Sequence, residues 1–352
     1  MTLELHFVVP GPLDQLTGGY VYDAHVVDGF RRLGWAVHVH NLPGRFPDGD
    51  GEARQALNTA LAGVPAGARV VIDGLAMGGI PEPVEAHARR LRIVSLVHHP
   101  LAEETGLSLA DKQRFADLER RALAPCAGVI VSSAFTARGL GAYGVAADRV
   151  RVVVPGTNPA RPAIGPGMGQ PPALLCVASV TPRKGHDVLV AALARLKDLD
   201  WNCICAGSLE RDRTFADSVL EATRRAGLDE RMRFVGEREG DQLEALYEAA
   251  SVFVLASHFE GYGMALADAL AHGLPVVSTT GGAIPFTVPT DAALLVQPGD
   301  DEALSSALRL VLEPASSRRA QLADAARRHA ATLPDWGAAA KTFADALVDL
   351  TQ

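Results

Sequence analysis

The chain has 352 residues, 48% of them hydrophobic, which is ample for two cores. Its 41 acidic against 33 basic residues give a net charge of −8 and argue against nonspecific nucleic-acid binding, which needs a basic surface. No run approaches 18 uninterrupted apolar residues, and no basic n-region with a cleavage site precedes the first strand. A protein of the reducing cytoplasm is therefore expected, with Cys126, Cys176, Cys203 and Cys205 as small core residues; the nearest pair is too close along one strand for an ordinary disulfide.

The predicted elements begin with a strand at 3–9 and a helix at about 19–33. Strands follow at 37–40, 70–73, 93–97, 128–132 and 150–154, and such alternation with helical stretches predicts a parallel sheet covered on both faces. The stretch 155–172 is rich in proline and glycine and lacks an apolar period, which reads as a hinge or linker. A second α/β series has strands at 174–178, 203–206, 233–235, 252–256, 275–278 and 293–296. The chain closes on an amphipathic helix at 336–350, with Phe343, Leu347 and Leu350 at helical spacing.

Four segments carry candidate chemistry. After the apolar run 252–256, Ser257-His-Phe-Glu260-Gly261-Tyr-Gly263-Met264-Ala265-Leu-Ala-Asp268 reads as a strand, a glycine-bracketed turn and a helix. Glycine lets the backbone approach a ligand closely. The N–H groups of Gly263, Met264 and Ala265, backed by the helix dipole, suit a phosphate. The carboxylates of Glu260 and Asp268 would be repelled by that phosphate and are better placed to accept hydrogen bonds from sugar hydroxyls. A nucleotide sugar is the implied ligand.

Ser179-Val-Thr-Pro-Arg183-Lys184-Gly185 follows the strand at 174–178 and opens a helix. His98-His99-Pro100 ends the strand at 93–97, with Glu103-Glu104 downstream. Adjacent residues of an extended chain point to opposite sides, so a metal on the histidine pair is disfavoured. Gly18-Gly19-Tyr20-Val-Tyr22-Asp23 lies between the first strand and the first helix and lacks the Gly-x-Gly-x-x-Gly dinucleotide fingerprint, so a nicotinamide enzyme is disfavoured. Asp198-Leu-Asp200 stands at the wrong end of the second sheet for a divalent-metal motif.

The 257–277 segment resembles the Glu-x7-Glu signature of retaining glycosyltransferases of family 4, with Glu260 matching the first acid and Asp268 the second. The resemblance implies the GT-B fold, an α/β architecture of two Rossmann-like doubly wound domains facing each other across a cleft. Residues 1–160 would form the acceptor-binding domain, 161–172 a linker, 173–335 the nucleotide-sugar domain, and 336–352 a helix crossing back to the first domain. In the family the first acid holds the transferred sugar and the second the nucleotide ribose, while the intervening amides bind the diphosphate. Lys184 matches the family lysine on the diphosphate. Ser179 occupies the place of the family arginine, and the neighbouring Arg183 is the candidate replacement. His98 matches a histidine beside the transferred sugar that activity needs, with His99 the lesser claimant. Gly18 and Gly19 match the turn near the donor phosphates, and Tyr20, His99 and Glu104 are candidate acceptor or sugar contacts.

The resemblance implies transfer of a hexosyl unit with retention, from a UDP- or GDP-sugar to a hydroxyl of a small molecule, glycan or lipid. No cofactor is expected beyond the nucleotide diphosphate sugar as co-substrate, and no metal, because cations and helix amides stabilise the charge. Two departures stand beside Ser179: Phe286 replaces the acid that often follows Gly-x-Pro, and Asp268 is one methylene short. They keep a catalytically weak nucleotide-sugar-binding protein as an alternative, with a GT-B sugar-nucleotide epimerase as a third reading. The basic run Arg89-Arg90-Leu-Arg92 leaves peripheral membrane contact open beside a solvated helix end.

Overall fold

The computed structural model describes residues 3–314 and 316–352 and divides the chain into two compact units. Unit 1 is Met1–Gly156 with Pro334–Gln352, and unit 2 is Thr157–Leu333.

Unit 1 is built on strands β1 (Glu4–Pro10), β2 (Ala36–Leu42), β3 (Arg69–Asp73), β4 (Arg92–Val97), β5 (Gly128–Val131) and β6 (Val150–Val152), in the spatial order β2-β1-β3-β4-β5-β6. Every recorded pairing is parallel. Runs such as Val70-Val71-Ile72 and Ile93-Val94 are buried on both sides, as strands covered by helices on two faces must be. Unit 2 repeats the plan with β7 (Ala173–Val177), β8 (Asn202–Ala206), β9 (Met232–Gly236), β10 (Val252–Leu255), β11 (Val276–Thr279) and β12 (Ala293–Val296), in the order β12-β11-β10-β7-β8-β9, again all parallel.

In each sheet the strand order reverses once, between β1 and β3 and between β7 and β10. Loops leaving adjacent strands at such a point diverge to opposite faces and open a crevice at the carboxyl ends, where open α/β sheets take ligands. All four candidate segments emerge at these carboxyl ends.

The terminal helix Trp336–Leu350 packs on helix Gly18–Arg32 of unit 1. The approach is close: a Cβ on Gly29 would lie 2.2 Å from that of Ala340, so glycine is required at the crossing. Trp336 stacks on His25, centroids 4.0 Å apart, and Tyr22 and Phe343 fill in beside it. The linker expected at 161–172 is not a free connection. Residues 163–165 are bound within unit 2, through Ala163 N–H to the His272 carbonyl and through Ile164 and Gly165 N–H to that of Glu248. The proline and glycine content signals absent regular structure, which does not prevent docking onto the carboxyl ends of neighbouring helices.

The cysteines are all buried and free. Among the described residues no helix is long and apolar enough to cross a membrane. The basic run before β4 is largely used internally: Arg90 donates to the Leu61 and Val64 carbonyls at the end of helix Gly51–Gly63, and Arg92 to the Thr351 carbonyl. That accounts for two of the three arginines without a membrane.

Candidate active site

In unit 2 the loops after β7 and β10 meet. Lys184 ends a short 3₁₀ turn, Pro182–Lys184, and the chain reverses through Gly185 at φ 65°. Only glycine fits there, since a Cβ would stand 2.2 Å from the Ala256 carbonyl oxygen. The reversal aims Lys184 at the turn after β10, where Nζ lies 2.6 Å from Glu260 Oε1. Ser257 Oγ donates to the same oxygen at 2.6 Å, and Arg183 Nη1 is 3.6 Å from Oε2 while donating to the Phe259 carbonyl at 3.0 Å. Arg183 therefore joins Lys184 on one carboxylate although it starts one residue earlier on the loop. Glu260 is also fixed through its backbone, by a parallel bridge to Gly282 and by Ala283 N–H donating to its carbonyl at 2.8 Å.

Burial alone would raise the pKa of Glu260, but the Lys184 ammonium and Arg183 guanidinium outweigh it and hold the carboxyl below its usual range. Two cations on one buried carboxylate leave a local excess of positive charge. Helix Met264–Ala271 adds to it. Its N-cap is Gly263 at φ 94°, no side chain caps it, and the cap carbonyl accepts from the Leu266 and Ala267 N–H groups. The Met264 and Ala265 amides thus belong to the first helical turn, whose N–H groups have no intrahelical acceptor. Asp268 follows one turn later, half-buried, and burial first, then Glu244, pushes its carboxyl up to about 7. Ser179 lies in the loop directly after β7 with its side chain partly exposed. Phe286 is 47% exposed, where the family pattern would have an acid.

Unit 1 holds the second cluster. His98 follows β4, Asp73 ends β3, and Asp23 lies on helix Gly18–Arg32. His98 Nε2 is 3.0 Å from Asp23 Oδ1 and 3.7 Å from Asp73 Oδ2. Asp73 also accepts the Leu75 N–H at 2.6 Å. Burial pushes Asp23 and Asp73 each up to about 8, with Asp23 adding to the rise at Asp73, so the two acids titrate as a pair. Burial lowers the pKa of His98. With Nε2–H donated to Asp23, a neutral ring keeps Nδ1 as an acceptor for a hydroxyl. Gly19 makes room for the ring, since a Cβ there would be 3.1 Å from His98 Cδ2. Gly18 is the first residue of the helix.

Tyr20 is buried and its hydroxyl donates to the Pro10 carbonyl, while Tyr22 meets His98 edge to face and donates to the Val153 carbonyl at 2.9 Å. Both read as supports of the cluster. His99 pairs with Glu104 at 3.3 Å, on the loop beside His98. That loop is held by a residue the motifs do not show: buried Glu119 of helix Leu109–Leu123 accepts the Leu101 N–H at 2.9 Å, and burial pushes it up to about 7. Asp73 and Ser257 likewise belong to no motif. An acid closing a buried strand just before Gly74, and a serine between strand and glycine turn, were the available signals. Asp198 is engaged by Arg309 at 2.8 and 2.9 Å and serves an ion pair.

Comparison with known proteins covers both units. Residues 74–161 match the model described as Glycosyltransferase Family 4, and residues 171–314 match Glycosyl transferases group 1. The chain is 30% identical over 210 residues to the D-inositol 3-phosphate glycosyltransferase of Salinispora arenicola, covering 53% of this chain and 47% of that protein. With that of Saccharomonospora viridis it shares 32% over 230 residues, covering 59% and 51%. The chain spans about half the length of the curated relatives it matches. Among solved structures, sucrose-phosphate synthase from Thermosynechococcus elongatus matches with a TM-score of 0.82 at 20% identity, over 97% of this chain and 98% of that one. Anabaena HepE in complex with UDP-glucose matches at 0.76 and 17%, over 98% and 99%. At these identities the likeness is one of fold, and that fold is GT-B.

Proposed function

The chain belongs to glycosyltransferase family 4, whose two sequence segments it carries in order, and on that premise we propose that it is a hexosyltransferase (EC 2.4) acting with retention on a nucleotide diphosphate sugar. The observation that carries the reading is the convergence of Lys184, Arg183 and Glu260 at the strand-order reversal of unit 2, beside the uncapped start of helix Met264–Ala271. A donor diphosphate takes the two cations and the amides of residues 263 to 265, and Glu260, released from part of its ion pairing, accepts hydroxyls of the transferred sugar. Asp268 accepts the ribose hydroxyls. As the diphosphate leaves, charge grows on its oxygens, and cations already in place lower the barrier without reorganising. The acceptor hydroxyl attacks from the face the leaving group vacates and its proton passes to the departing phosphate, so retention needs no enzymic nucleophile and no metal. His98 binds a sugar hydroxyl through the ring nitrogen that Asp23 leaves unoccupied.

UDP-sugars are the first donors to assay, since HepE was solved with UDP-glucose, and a polyol phosphate the first acceptor, given the names of the curated relatives. The test is transfer in excess chelator with the anomeric configuration of the product read by NMR. Retained configuration at an undiminished rate is expected; an inverted product, or turnover abolished by chelator, overturns it. Phe286 and the shorter Asp268 favour a second reading, a protein that binds the nucleotide sugar and barely turns it over, which tight donor binding without transfer or hydrolysis would establish.

A further inference from the structure

The first two strands hold a cluster that sugar transfer does not use. His38 and His40 alternate along β2, so both project from one face of this edge strand. Parallel pairing sets His6 of β1 directly opposite His38, and Glu4, two residues before His6, shares its face. The His6 ring stacks on His38 with centroids 4.8 Å apart, and its Nδ1 lies 3.0 Å from His40 Nε2. Its other nitrogen, Nε2, is buried without a hydrogen-bond partner, on a residue only 8% exposed. One ligand atom each from Glu4, His6 and His38 lies within 4.8 Å of the other two.

We propose that Glu4, His6 and His38 bind one Zn²⁺ ion, with His40 as the positioning residue that orients His6. Two imidazoles and a carboxylate are a zinc donor set, and water can complete the tetrahedron. A His6 ring that donates Nδ1–H to His40 must present a lone pair at Nε2, the nitrogen that lacks a partner. Such a bond from the far side of a ligating imidazole fixes its tautomer and direction. Bonds of about 2.0–2.2 Å need the ligand atoms to close to about 3.5 Å of one another. Glu4 and His38 are exposed and can close that distance by rotamer changes. The site lies toward the amino ends of the strands: six residues of β1, about 20 Å of extended chain, separate Glu4 from the carboxyl end where the transfer chemistry is read. The ion therefore ties the edge strand to its neighbour and takes no part in turnover.

Titrate Zn²⁺ calorimetrically into the untagged full chain after chelator treatment, and follow melting in parallel. One ion per chain and a raised Tm are expected. His40→Ala, which removes only the orienting partner, weakens binding about 10–100-fold; His38→Ala and Glu4→Gln, exposed positions whose metal-free Tm should match the parent, weaken it at least as much and abolish the stabilisation. His98→Ala leaves the titration unchanged, separating this site from the carboxylates beside that histidine. Absence of binding, or binding unaltered in both His38→Ala and Glu4→Gln, overturns the proposal, as does binding lost in His98→Ala.

Discussion

The two clusters at the carboxyl ends of the two sheets solve opposite electrostatic problems. In unit 2 a buried carboxylate is over-compensated by Lys184 and Arg183 and stays ionised. In unit 1 two buried carboxylates face an uncharged imidazole, and burial keeps them protonated to unusually high pH. The first arrangement suits an incoming dianion; the second suits neutral hydroxyl groups. Charge balance, more than residue type, separates the two clusters: both are built around buried carboxyl groups, and only the one in unit 2 has cations beside it.

The largest expected effect breaks the unit 2 cluster. Lys184→Ala and Glu260→Ala should each lower turnover at least about 10²-fold, the scale of losing one preorganised electrostatic contact. Steady-state kinetics of the two variants checks this, and wild-type-like rates in both would remove the site from unit 2. Gly185→Ala should come next, because a Cβ collides with the Ala256 carbonyl at a positive φ. A stability loss of about 1–3 kcal/mol is expected from the strained backbone, read by denaturant unfolding, with donor affinity falling as Lys184 is displaced.

A subtler test uses pH. Asp23 and Asp73 have folded-state pKa values raised to about 8. Their protonated forms are favoured in the native state, so their contribution to stability is full below the unfolded pKa and is lost as pH rises through the folded value. Glu260, held low, has the reverse linkage: its contribution is present above the unfolded pKa and is lost as pH falls through the folded one. Asp23→Asn should therefore flatten the fall in Tm between about pH 4 and pH 8 and leave the limb below about pH 4 alone, while Glu260→Gln does the opposite. Melting curves across pH distinguish them, and identical profiles would mean that the two clusters do not differ in charge state. The smallest effect belongs to Phe286→Ala: with the side chain about half exposed, its loss should cost about 1 kcal/mol of stability, read by denaturant unfolding.

Much of this was legible in the sequence because strands buried on both faces read as unbroken apolar runs. The run at 293–296 coincides with β12, and the helix at 336–350 with Trp336–Leu350. Glu260, Lys184 and His98 were legible as candidates because the segments that follow their strands resemble the motifs of one family. What the sequence hid depends on distance in space. Arg183 sharing Glu260 with Lys184, Asp23 and Asp73 meeting at His98, and Glu119 holding the loop 101–102 from 18 residues away all need contacts that no local spacing encodes. The bonds of residues 163–165 were hidden for the same reason, since their partners, Glu248 and His272, lie far along the chain.

The most direct test of the central claim, that Lys184, Arg183 and the amides at 263 to 265 form a diphosphate site, is a calorimetric titration of UDP, GDP and their sugars in chelator, with wild type and Lys184→Ala side by side. One nucleotide diphosphate should bind selectively to the wild type and at least about tenfold more weakly to the variant, the loss of one charge-assisted contact of about 1.5–3 kcal/mol. Equal affinities in the two proteins, or no binding by any nucleotide, would contradict it.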